Sequence, residues 1–77
     1  MILFKDRVRS ILKEHKISQV KFCEETGINR ENFFNRKTKR KHSRHIYMAI
    51  AYYFGMDVEE LIADTDAEND WYGDEGI

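Results

Sequence analysis

Three side chains between residues 30 and 35 carry the hydrogen-bonding groups that read the edges of DNA bases. An arginine can bond guanine through two N–H groups, an asparagine can bond adenine in the same way, and a glutamate can accept from the cytosine amino group. Arg30, Glu31 and Asn35 supply these groups, and helical spacing directs them away from the apolar Phe33. Without a supporting motif the same residues would be ordinary surface groups, so the elements around them decide between the two interpretations.

A dense basic segment surrounds and follows these residues. Residues 30–45 contain seven Lys and Arg and one acid, Glu31. Residues 1–63 hold eight acids against all 13 Lys and Arg, a net charge of +5, whereas residues 64–77 hold six acids and no Lys or Arg. A charged run is usually a solvated face. Next to base-reading side chains, it predicts contacts with the phosphate backbone of DNA.

The elements that position these residues are two short helices joined by a glycine turn. Ser18 is an N-cap residue type, Gly27 is suited to end the helix that follows, and Asn29 can cap the next one, which should end by about residue 37. A helix, a tight turn and a second helix place the second helix in the major groove of DNA. Residues 18–35 therefore predict a helix-turn-helix.

Three further helices complete the predicted fold. Apolar residues at helical spacing predict a first helix over about residues 4–15. Ser43 should cap a fourth helix that ends at Gly55, and Asp57 with Glu60 should form the capping box of a fifth. The chain contains no proline and no hairpin turn signal. These features predict an all-α fold, a compact five-helix bundle.

We expect the bundle to span residues 1–63 and an acidic, mostly disordered tail to span residues 64–77. The tail is charged, contains two glycines and shows no helical apolar stripe. Trp71 and Tyr72 are adjacent aromatic residues that indicate a docking point within it. Three roles stay open for the tail: competition with DNA for the basic segment, a part in a dimer interface, or solubility alone.

With these elements placed, the chain resembles the phage-repressor-like (Xre-type) helix-turn-helix family over about residues 4–63. The matching residues are Ser18-Gln19, Phe22-Cys23, Thr26-Gly27-Ile28, Ser43, Ile50-Ala51, Phe54-Gly55, Val58 and Glu60-Leu61. The resemblance implies a five-helix domain that binds operator DNA, usually as a homodimer. It implies base contacts by Arg30, Glu31 and Asn35. It implies backbone contacts by Gln19 and by the loop residues Thr38, Lys39, Arg40 and Lys41. We also expect backbone contacts by Asn32 and by Asn29, since a capped helix N-terminus attracts phosphate.

The chain departs from the family pattern at three places. Leu12 and Lys37 stand where the family often pairs a buried Arg with a Glu, so Leu12 should join the core. Lys39 and His42 replace a loop glycine and a proline, which makes the loop more basic. Phe34 stands where the family more often has a polar residue. It could touch a thymine methyl group or cover a partner surface.

Other classes of protein have little support in the sequence. His15, Cys23, His42 and His45 lack the spacing of a structural zinc site, so we expect no metal and no cofactor. The sequence shows neither a nucleophile paired with a base nor a phosphate-binding loop, so we expect neither an enzyme nor a small-molecule substrate. No apolar run is long enough to cross a membrane. The single cysteine fits a reducing compartment, and we expect a cytoplasmic protein.

The sequence thus predicts a domain that binds double-stranded DNA in a sequence-specific manner and regulates transcription. The resemblance adds a repressor of phage or mobile-element type. One alternative stays open, a protein-interaction module on the same fold. Its partner surfaces would be Phe34, the apolar residues 1–3 and the acidic tail.

Overall fold

The structure is a computed structural model that describes residues 2–34 and 44–73, apart from the side chain of Asn32. Helices are the regular elements of these residues, as the sequence predicted. In chain order they are α1 (Phe4–Glu14), α2 (Gln19–Thr26), α3 (Arg30–Phe34), α4 (Arg44–Phe54), α5 (Val58–Ile62) and α6 (Ala67–Gly73). The predicted Ser43 cap and the predicted continuation of the third helix to residue 37 lie outside the described residues. No helix in the described part of the chain has the length and apolar character that a membrane span requires.

The core forms where the apolar stripes of the helices meet. α1 contributes Phe4, Val8, Ile11 and Leu12, and the other buried residues include Phe22, Phe33, Tyr47, Ile50, Leu61 and Ile62. The exposed fraction of Leu12 is 2%. The prediction that Leu12 joins the core is therefore confirmed, and α1 packs through an apolar residue where the family often buries a charge.

The ends of the helices follow the predicted pattern with one exception. Gly27 and Gly55 have φ angles of 76° and 69°, the left-handed conformation that glycine adopts readily at the end of a helix. After Gly55, the Met56 N–H donates to the Ala51 carbonyl at 3.0 Å. Asp57 does precede α5, but its side chain makes no capping hydrogen bond. The predicted capping box with Glu60 is therefore wrong, and α5 is held mainly by its buried Leu61 and Ile62.

The structure corrects the expectation of a disordered tail for residues 64–73. Thr65 and Ala67 are buried, with exposed fractions of 0% and 1%, and α6 follows directly. Ile2 pairs with Thr65 in a parallel bridge, and an Asp66 carboxylate oxygen accepts from the Phe4 N–H at 2.8 Å. These contacts join the segment to the start of α1. The described fold is thus the predicted bundle with a sixth helix added.

Candidate DNA-binding surface

The turn between α2 and α3 is specified by local hydrogen bonds. The Ser18 hydroxyl accepts from the Lys21 N–H at 3.1 Å and caps the start of α2. At the other end, the Gly27 N–H donates to the Cys23 carbonyl at 2.9 Å. The Phe33 N–H donates to the Asn29 carbonyl at 3.0 Å, which begins α3 at the predicted place. The helix-turn-helix predicted from the sequence is therefore present.

Aromatic packing fixes which face of α3 points outward. Phe33 and Phe34 are buried, and both rings lie near the ring of Phe22 on α2, at centroid distances of 6.3 and 6.4 Å. Arg30 and Glu31 are exposed on the same helix. α3 therefore directs its apolar side into the core and offers an arginine and a glutamate to solvent.

The start of α2 lies beside this exposed face. Gln19, Arg30, Glu31 and Phe34 line one shallow concave surface that opens to solvent. Gln19 is half-buried there, and Asn29 is exposed just before α3. The structure thus brings together Gln19, Arg30 and Glu31, three of the predicted contact residues. The remaining predicted contacts, Asn35, Thr38, Lys39, Arg40, Lys41 and the side chain of Asn32, lie outside the described residues.

Phe34 is more deeply buried than the roles that the sequence analysis considered for it would suggest. Its exposed fraction is 7%, and its ring meets the Phe33 ring edge-on at a centroid distance of 4.8 Å. Phe34 therefore serves mainly as a core residue, and only the edge of its ring reaches the concave surface. Two adjacent side chains at the end of a short helix can both reach the core. The neighbouring phenylalanines at positions 33 and 34 were therefore the one sequence signal that could have predicted the burial of Phe34.

Sequence analysis also missed the role of Arg9 on α1. Its guanidinium lies 5.2 Å from the centroid of the Phe34 ring, a cation–π distance, and donates to the Phe34 carbonyl at 3.2 Å. The same side chain pairs with Asp6 at 2.9 Å. Arg9 thereby fixes the end of α3 against α1. No sequence signal links residues 25 positions apart in this way.

The surroundings of Cys23 favour its neutral thiol, so that it packs as a core residue. Burial raises the pKa of the Cys23 thiol, and the nearby positive charge of Arg30 partly opposes that change. A thiol in this setting stays protonated and packs as a small apolar side chain. Among the described residues, no group of three His, Cys, Asp or Glu side chains is placed to hold a metal ion.

Comparison with known proteins agrees with this geometry. A family model described as the Cro/C1-type HTH DNA-binding domain matches residues 7–67, from α1 to the first residue of α6. Comparisons with curated proteins and with solved structures each found no significant match. The family match covers most of the chain and includes the whole α2–turn–α3 unit, so the predicted resemblance is confirmed. The chain belongs to the family of Cro/C1-type helix-turn-helix DNA-binding domains.

Proposed function

We propose that the chain is a sequence-specific regulator of transcription that binds double-stranded DNA as a homodimer, in the cytoplasm, and acts as a repressor of phage or mobile-element type. One observation carries the proposal: α3 buries Phe33 and Phe34 while it exposes Arg30 and Glu31. A short helix held in this way can enter the major groove with its polar side toward the bases. No catalytic step is part of the proposal.

The proposed contacts divide into those that read bases and those that hold the backbone. Arg30, Glu31 and Asn35 face the base edges, where paired N–H donors and carboxylate acceptors distinguish base pairs. The proposed backbone contacts are Gln19, Asn29, Asn32, Thr38, Lys39, Arg40 and Lys41. The concave surface that contains Gln19, Arg30 and Glu31 supports this division, because a backbone contact and two base contacts then lie side by side.

The packing beneath α3 supports a surface that is formed before DNA arrives. The ring of Phe22 touches those of Phe33 and Phe34, and Arg9 holds the far end of the helix. Little ordering of the backbone is then left to occur on binding, which favours affinity. Burial of Phe34 also weakens the case for the alternative, a protein-interaction module, because Phe34 is one of its three expected partner surfaces.

The homodimer follows from the small number of bases that one short helix can read. A two-fold pair presents two such helices to two half-sites one helical turn apart, which raises both affinity and specificity. We propose repression because the sequence resembles the phage-repressor-like family. An operator with two-fold symmetry is the expected binding site.

Selection of bound sites from a random duplex library tests the proposal. We expect a palindromic site, against which Arg30→Ala weakens binding by about 1–3 kcal/mol and relaxes the preference at one base pair. Lys41→Ala should weaken binding to all sequences about equally and reduce the slope of log K against log salt by about one unit. Lys13→Ala, on the exposed side of α1, is the matched control.

Two results would contradict the proposal. Failure of the chain to shift any duplex at low salt would reject DNA binding by this surface. An equal loss of affinity for selected and random sites in Arg30→Ala would reject base readout by Arg30 and leave it a backbone contact.

A further inference from the structure

α4 is unusual because it is apolar on both its inner and its outer side. Residues 46–54 are nine consecutive apolar or aromatic residues. A helix that is apolar all round is normally covered on all sides. The inner side of α4 is indeed covered, by burial of Tyr47, Ile50 and Ala51. Its outer side is open within the described residues, since Met48 and Tyr52 are 53% and 89% exposed.

The outer side of α1 shows what an uncovered helix of this chain looks like. Asp6, Ser10, Lys13 and Glu14 are its exposed residues, and all are polar or charged. On α4 the corresponding stripe runs from His45 through Met48 and Ala49 to Tyr52, at helical spacing of three and four. The difference singles out this stripe, which we call the α4 outer face, as a surface suited to a partner.

A hollow lies directly beside the most exposed residue of this face. Ala51, Tyr52, Gly55, Met56, Asp57 and Glu60 line a depression between the end of α4 and α5. Gly55 has no side chain, and apart from the two adjacent residues no atom lies within 4 Å of the position that a Cβ would occupy. One patch therefore holds both a protruding aromatic ring and an open space next to it.

We infer that the α4 outer face is the surface on which a second copy of this chain docks. A two-fold interface uses the same patch on both copies, so the patch must complement itself. If two α4 helices pack antiparallel across their C-terminal halves, each Tyr52 ring can enter the hollow above the other copy's Gly55. The inference rests on the proposed homodimer and assigns its interface.

The polar residues at the two ends of the patch fit the same arrangement, because an imidazole N–H can donate to a carboxylate. His45 lies at the start of α4, whereas Asp57 and Glu60 lie beyond its end, and all three are exposed. Antiparallel packing brings the His45 end of one copy toward the Asp57 and Glu60 end of the other. It also opposes the dipoles of the two helices, which is favourable. A parallel arrangement would instead place the acidic ends together.

Sedimentation analysis of the full chain without DNA tests the inference. Across roughly 1–200 µM we expect a monomer–dimer equilibrium of the wild-type chain, as for a small interface. Tyr52→Asp should raise the dissociation constant by about 30-fold or more, because a central aromatic residue dominates such contacts. Tyr72→Asp is the matched control, a half-exposed tyrosine on α6 whose change should leave the equilibrium unaltered.

A charge exchange tests the antiparallel arrangement. His45→Asp should weaken the dimer by about 3- to 10-fold, since it places like charges together across the interface, and His45→Asp with Glu60→Lys should restore it. Circular dichroism of each variant confirms that the fold is retained. Because His45 and Glu60 are exposed, we expect the variants to melt at the same temperature as the wild-type chain.

The outcomes separate this inference from the proposed function. A wild-type chain that is monomeric over the whole range, or a dimer that survives Tyr52→Asp, overturns the assigned interface. Binding of the Tyr52 face to a different protein by a monomeric chain overturns it as well. Loss of base preference in Arg30→Ala is measured independently on duplex DNA. Failure there contradicts base readout and leaves the interface standing.

Discussion

The helix-turn-helix, residues 18–34, and the C-terminal segment, residues 64–73, hold their helices in place by different means. The first relies on neighbours in sequence, with the Ser18 cap and the left-handed Gly27 defining where α2 begins and ends. The second relies on distant residues: Asp66 accepts from Phe4, Asp70 accepts from Tyr47, and Arg44 lies 4.3 Å from the centroid of the Trp71 ring. Local specification makes the DNA-binding unit readable from sequence, whereas α6 exists only on the completed fold.

The largest expected effect is at Phe22, whose ring is shared by the helix-turn-helix and α4. It is fully buried, and it stacks on Phe54 at a centroid distance of 5.6 Å. Phe22→Ala should lower the free energy of unfolding by about 3–5 kcal/mol, because a large cavity remains beneath α3. Urea denaturation measures the loss. A loss below about 1 kcal/mol would show that local signals alone hold the helix-turn-helix.

Trp71→Ala should have the next largest effect. The Trp71 ring lies between Arg44 and Tyr47 but stays partly exposed, so we expect a loss of about 1–3 kcal/mol. Hydrogen exchange should show loss of protection in α6 and little change in α2. Tyr72→Ala, at a neighbouring and more exposed ring, serves as the control and should change stability by less than about 0.5 kcal/mol.

Unchanged protection of α6 in Trp71→Ala would contradict the view that distant contacts hold α6. It would mean that α6, like α2, is specified by residues close to it in sequence.

The effect of a single cap can be compared between α2, which Ser18 caps by a hydrogen bond, and α5, which Asp57 precedes without one. Ser18→Ala removes the hydroxyl that accepts from the Lys21 N–H and should cost about 1 kcal/mol. Asp57→Ala, at the α5 cap where no side-chain bond forms, should cost no more than about 0.5 kcal/mol. Thermal melts of the two variants decide the order. Equal losses would indicate that Asp57 does cap α5 in solution.

Similarly small effects concern two tyrosines through which α4 contacts both regions. The Tyr47 hydroxyl donates to Asp70 of α6 at 2.9 Å in a partly buried site, and the Tyr53 hydroxyl donates to Glu25 of α2 at 2.5 Å in an exposed site. Tyr47→Phe should cost about 1 kcal/mol. Tyr53→Phe should cost less, because solvent weakens the exposed bond. A larger loss in Tyr53→Phe would contradict this ranking.

The pH dependence of the Tyr53 contact has a defined direction. The hydrogen bond to Glu25 raises the pKa of Tyr53 above its ordinary value of 10, with lesser contributions from burial and from the Glu25 charge. The stabilisation from this bond is therefore complete below pH 10 and is lost as the pH rises through the raised pKa. Tyrosinate absorbance measured against pH should follow this titration. Glu25→Gln should move the Tyr53 titration to lower pH.

The sequence was sufficient to predict the five helices of the bundle and the turn between α2 and α3. Each of these elements has an apolar stripe or a cap residue within a few positions. α6 has only Ala67 and Trp71 at helical spacing on its inner side, and the remainder of the helix is polar or glycine apart from the exposed Tyr72. One such pair is too little for a periodic pattern. The contacts with Phe4 and Tyr47 that hold α6 become visible only in three dimensions.

The candidate site was predictable in part for the same reason. Arg30 and Glu31 follow the predicted Asn29 cap by one and two residues, so their exposure could be inferred from helical geometry. The burial of Phe34 depends on Arg9 and on Phe22, which belong to two other helices. Pattern reasoning placed Phe34 on the surface because the family has a polar residue there, although nothing local required it.

The pairing of Ile2 with Thr65 has a consequence for the order in which the chain folds. It closes a loop of more than sixty residues, an entropic cost of about 3–4 kcal/mol that shorter-range contacts avoid. During synthesis the helix-turn-helix leaves the ribosome early, whereas Phe4 meets Asp66 only after nearly the whole domain has been made. Attachment of the N-terminal segment should therefore be a late event, rate-limited by closure of the chain and not by formation of α2 and α3.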